Sequence, residues 1–172
     1  MLADPFPYNR RSMGGRRSRW LLVVLALVAL AAAGCGGEGA AKRKKDFLTE
    51  GNSICKHFED LQNQVRVPTV NPLAAKTSHV ARAQWGLGIK QIAYLGTQEV
   101  KTLGKLKPPQ ELESGFRLLL DTKGGAFADL LQGADAAKRN HISGIKAPID
   151  AGRAALAKAS KQARALGLPK CA

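Results

Sequence analysis

Between Ile142 and Leu166 the apolar and small residues return in alternating steps of three and four: Ile142, Ile145, Ile149, Gly152, Leu156, Ala159, Ala163 and Leu166. That alternation tracks the 3.6-residue turn of a helix and does not fit a strand, whose faces repeat every two residues. Three earlier stretches carry similar spacing. The first runs through Phe47, Gly51, Ile54, Phe58, Leu61 and Val65. The second uses Val80, Trp85, Ile89, Ile92, Val100, Leu103 and Leu106, and the third Leu112, Phe116, Leu119, Phe127 and Leu130. No period-two run of branched residues reaches useful length, and no internal repeat is visible. Four stripes with short breaks predict an all-α protein, an antiparallel up-down-up-down four-helix bundle.

The breaks follow cap and proline chemistry. Asp46 is the predicted N-cap of the first helix, with the basic cluster Lys42, Arg43, Lys44 and Lys45 left outside it. Four cations at a helix N-terminus would oppose the macrodipole. "RVPTVNP" then interrupts the chain. Asn71 followed by Pro72 reads as a cap and a tolerated first-turn proline, restarting a helix that runs to about Lys107. Pro108-Pro109 ends it and opens the third helix, where Glu111 and Glu113 suit the positive N-terminus. Gly133 and Asp135 mark the next expected boundary. Pro148 is expected to kink the last helix, with Gly144 easing the bend. Gly167, Leu168 and Pro169 read as left-handed cap, apolar follower and stop.

The N-terminus has a different grammar. Arg10, Arg11, Arg16, Arg17 and Arg19 precede an uncharged apolar run, Trp20 to Ala33, of 14 residues. A membrane span needs about 20 such residues. Basic start, short apolar run and small residues form the pattern of an export signal. The stretch ends Ala32-Ala33-Gly34-Cys35, and here the chain resembles bacterial lipoprotein precursors. Ala33 and Gly34 match the motif, Ala32 stands where that family more often has Leu, and Gly36-Gly37 suits the tether that follows. The resemblance implies that Cys35 is lipidated and becomes the mature N-terminus. Residues 1–34 would be the signal peptide, 35–45 a flexible basic tether and 46–172 the bundle. The protein would sit on the extracytoplasmic face of the cell membrane. A cleaved signal without lipid, giving a secreted protein, and an uncleaved anchor are the other readings. The body also looks like small exported helical proteins of bacteria that have no assigned function, a likeness that carries no activity across.

Three cysteines in an exported chain leave one over if two pair. With Cys35 lipidated or removed, Cys55 and Cys171 remain, and a bond between them would join the first helix to the end of the last. Two separate buried cysteines are the alternative. Closing so long a loop stabilises a fold by roughly 4–5 kcal/mol on the chain-entropy model. The mature chain keeps 22 basic and 12 acidic residues, a net charge of +10. An anchored, exported protein with that balance meets anionic lipid headgroups and envelope polymers before any nucleic acid. Lys42 to Lys45 are its candidate membrane-surface site.

Catalytic patterns are not evident in the sequence. Carboxylate-bridged di-iron bundles use Glu-x-x-His, but His57, His79 and His141 follow Ile54, Lys76 and Lys138 at that spacing. No histidine pair stands four apart, and no Gly-x-Ser-x-Gly or phosphate-loop spacing occurs. Cys55 and His57, two apart on a helix, point in different directions. Trp85 and Tyr94 are expected in the core with their polar atoms at its rim, a ligand groove between helices being the other use for them. The sequence predicts a non-enzymatic binding or scaffolding module with an unidentified protein partner, and without metal or cofactor. A binder of anionic lipid or polymer, and a ligand- or cofactor-carrying bundle, are the alternatives.

Overall fold

The computed structural model describes residues 37–172, and Lys42–Ala172 form one compact unit. The described residues form four α-helices: α1 Gly37–Asn63, α2 His79–Leu103, α3 Gln110–Lys138 and α4 Lys146–Leu166. Short 3-10 turns, Ile142–Gly144 and Pro169–Cys171, precede and follow α4. Among the described residues there is no strand, and the protein is all-α as expected.

Helix α1 begins nine residues before the expected cap at Asp46 and takes in the whole basic cluster. The segment expected as a flexible tether is thus helical from Gly37 onward. Ala40, Ala41 and the lysines are strong helix formers. The macrodipole acts mainly on the first turn, and Lys42 already lies in the second. Further along, Phe47, Gly51 and Cys55 are buried, while Ile54, Phe58 and Leu61 are half-buried.

Helix α2 is shorter than expected at both ends. Asn71 does not cap it. Its Oδ1 accepts the Leu73 N–H at 3.0 Å and its carbonyl accepts the Thr77 hydroxyl at 2.7 Å, closing a local turn instead. The cap is Ser78, whose hydroxyl oxygen accepts the Ala81 N–H. Val80, expected inside, is 66% exposed. The buried side of α2 runs through Trp85, Ala93, Gly96, Glu99 and Leu103.

Helix α3 passes through the boundary expected at Gly133 and Asp135 and continues to Lys138. Gly133 is a contact point, where a β-carbon would press on Ile149 at 2.6 Å. The chain turns at Asn140, a left-handed residue with φ of 59°. Pro148 does not kink α4. It falls in the first turn, where its missing N–H has no intrahelical carbonyl to serve. At the far end Gly167 has φ of 82°, and the Leu168 N–H reaches back to the Ala163 carbonyl at 2.9 Å. That left-handed cap was legible from the sequence, and Leu168, its expected apolar follower, is buried.

Contacts between helices advance in register. Lys90 meets Asp135, Gly96 meets Phe127 and Glu99 meets Lys123 between α2 and α3. Between α3 and α4, Gly115 faces Leu166, Gly133 faces Ile149, and Gly152 faces Ala126 and Leu130. Helix α1 joins through Phe47, whose ring packs edge-on against Phe116 with centroids 5.0 Å apart. Two apolar clusters result. One holds Phe47, Cys55, Leu103, Phe116, Leu119 and Leu168. The other holds Trp85, Ala93, Phe127, Leu130, Ile145 and Ile149.

Candidate functional site

The junction between the two clusters is polar. On α2, Glu99 falls between Ala93 and Leu103, and on α3, Lys123 falls between Leu119 and Phe127. Their side chains are 5% and 8% exposed, and Lys123 Nζ lies 2.6 Å from Glu99 Oε1. The same nitrogen donates to the Cys171 carbonyl at 3.2 Å. Burial pushes the Glu99 carboxyl above its ordinary range, and the Lys123 ammonium works against that rise.

Cys55 and Cys171 are joined in a disulfide beside this pair, with Cα atoms 4.9 Å apart. A cavity of about 100 Å³ adjoins them, lined also by Glu59, Gln62 and Lys170. The two sulfurs and a Glu99 oxygen lie within 4.8 Å of one another. Bonded to each other, the sulfurs offer no thiolate to a metal ion. Asn52 adds to the same end of the fold, donating to the Gly167 carbonyl and accepting the Lys170 N–H.

The sequence offered a signal for the ion pair. Phe116, Leu119, Phe127 and Leu130 leave a gap of eight that Lys123 fills in step, so a charge lies on an apolar stripe. Glu99 follows Gly96 and precedes Leu103 in the same way.

Other expected site residues fall elsewhere. Lys42, Arg43, Lys44 and Lys45 are all exposed on the second and third turns of α1. Cys35 and the expected signal segment lie outside the described residues. His57 and His141 are exposed, and His79 Nε2 stands 3.3 Å from the Lys138 carbonyl. Trp85 is in the core as expected, but Tyr94 is 60% exposed and outside it. With Leu87, Tyr94 borders an open groove of about 600 Å³ that Arg66, Pro68, Lys90 and Gln91 also line.

Arg82, which carried no expectation, is 2% exposed. Its guanidinium donates to the Pro72 carbonyl at 2.7 Å, to the Ala74 carbonyl at 3.0 Å and to the Asn140 side chain. It ties the irregular segment before α2 to the turn after α3.

No family model, curated protein or solved structure matches the chain.

Proposed function

We propose that this protein is a lipid-anchored binding or scaffolding module of the bacterial cell envelope, with no catalysis of its own. Its body is an antiparallel up-down-up-down four-helix bundle. The register of Lys90 with Asp135 and Glu99 with Lys123, and of Gly115 with Leu166 and Gly133 with Ile149, supports alternating directions for α2, α3 and α4. Cys35 carries the lipid. The "AAAGC" stretch supports this assignment, as does the use of the other two cysteines in one disulfide.

The observation that carries the reading is the exposure of Lys42 to Lys45 on the stretch of α1 that precedes its first buried residue, Phe47. The cluster begins seven residues beyond Cys35, so a lipid there holds these charges close to headgroups. Anionic headgroups attract such a segment strongly only within a Debye length. A second reading, a binder of anionic envelope polymer, draws on the net charge of +10 carried by residues 35–172.

The test is expression in a bacterial host fed an alkyne-tagged fatty acid. The full chain should take up the tag and enter the membrane fraction, and Cys35→Ser should lose the tag. A tagged Cys35→Ser protein, or a soluble mature form starting at another residue, would overturn the anchor.

A further inference from the structure

Helix α2 carries a second periodicity, on the side turned away from the clusters. Val80, Leu87 and Tyr94 recur every seven residues and are 66%, 51% and 60% exposed. Gln84, Gln91 and Gln98 recur at the same interval, each four residues after an apolar member. Alternating steps of four and three along one helix make the seam on which a second helix packs. Trp85, Ala93, Gly96, Glu99 and Leu103, which α2 buries, belong to a different face.

One wall of the seam is the segment that precedes α2. It sits close because Gly88 lacks a side chain, and a β-carbon there would meet Val67 Cγ2 at 3.0 Å. That approach sets Arg66 and Pro68 beside Leu87 and Tyr94 along the groove. Lys90 is held by Asp135 at 2.9 Å, whereas Arg66 forms no ion pair with a described residue. Two copies packed antiparallel, seam to seam, would set the Arg66 flank of one against that of the other, and no acidic residue lines the groove to meet it. The charge pattern therefore selects an acidic occupant.

We propose that this face of α2 docks an amphipathic helix of a partner protein. The partner's apolar residues would cover Val80, Leu87 and Tyr94, and its acidic flank would meet Arg66. The proposal rests on the reading of the chain as a binding module and names the surface and the chemistry of the partner.

The test titrates the full chain with synthetic peptides about three heptads long. One has leucine on its seam and glutamate on its flanks. A second has lysine on the flanks, and a third scrambles the glutamate peptide. The glutamate peptide should bind at least about tenfold more tightly than either other, a difference of about 1.4 kcal/mol. Leu87→Ser with Tyr94→Ser should remove that advantage, and Arg66→Glu should shift preference toward the lysine peptide. These positions are on the surface, and circular dichroism should report an unchanged helical fold. Equal binding of the scrambled peptide would leave only general charge attraction and would sink the seam. So would variants that bind like the parent chain. Self-association abolished by the Leu87 and Tyr94 changes would give the face to a second copy instead. Acyl labelling at Cys35 is unaffected by any of these results, so failure of the seam and failure of the anchor are read separately.

Discussion

Lys123 Nζ sits 2.6 Å from Glu99 Oε1 where the two apolar clusters meet, and it also holds the Cys171 carbonyl. The pair therefore links α2, α3 and the disulfide-bonded turn. Removing one buried partner leaves a charge without compensation, which costs about 3–5 kcal/mol. Lys123→Met should lower stability to chemical denaturant by an amount in that range. The double change Glu99→Leu with Lys123→Met should recover much of the loss, because two apolar side chains need no pairing. A double variant as unstable as the single one would show that the pair does more than neutralise itself.

The raised Glu99 pKa has a definite sign in stability. Between its unfolded and folded values the native state binds the extra proton. Stability contributed by this group is complete below the unfolded carboxylate range and is lost as pH rises through the folded value. Denaturation midpoints of the parent chain and Glu99→Gln, measured across that window, should differ in slope, because the other carboxylates are common to both proteins. The parent chain alone should show the additional decline with rising pH. An identical pH profile in the two proteins would contradict the burial of an ionisable group here.

Glycines in the same helices should answer alanine in opposite directions. A β-carbon at Gly96 would overlap the Phe127 ring, whereas one at Gly124 meets nothing within 4 Å. Gly96→Ala should destabilise by about 1–3 kcal/mol or more through overpacking. Gly124→Ala should stabilise by roughly 0.5–1 kcal/mol by restoring helix propensity. Thermal melts of the two variants decide the matter, and the same sign in both would refute the packing register between α2 and α3.

Helix class was legible because burial writes its period into the sequence. The stripe from Ile145 to Ala163 needed no other information, and the Gly167-Leu168-Pro169 ending was readable from glycine's tolerance of positive φ. The starts were less legible. Asn71 before Pro72 and Ser78 before His79 are both good cap signals, and the choice between them lies with Arg82. Its burial fixes Pro72 and Ala74 in an irregular segment, through bonds that span different parts of the chain. Val80 and Tyr94 were expected inside because helical spacing identifies an apolar residue without saying which way its face turns. The Glu99–Lys123 pair lay unread inside stripes sought only for apolar residues.

Arg82 should accordingly control the order of residues 71–77. Arg82→Met removes three donated bonds while keeping most of the aliphatic stem, and should cost at least about 1.5–3 kcal/mol, the range for a single bond to a charged group. Hydrogen exchange should quicken at the Leu73, Ala74 and Thr77 amides, which are bonded in local turns. Unchanged exchange at those amides would mean that the Asn71 turn holds itself together.

The basic arm of α1 gives the last expectation. Lys42 to Lys45 are exposed and helical, so their charges are spread over about 300° around the axis and cannot all face one plane. Attraction to a membrane should therefore depend on total charge more than on any single residue. Cys35→Ser protein, which can carry no lipid at that position, should bind anionic vesicles at low salt and release at high salt, since screening shortens the reach of each charge. Reversing all four residues to glutamate should weaken that binding by about tenfold or more. Single reversals should each take a similar share. The fold should survive, because nothing in the arm before Phe47 is buried among residues 39–46. Equal vesicle binding by the fourfold variant would place the attraction elsewhere on the basic surface and reduce the arm to a spacer.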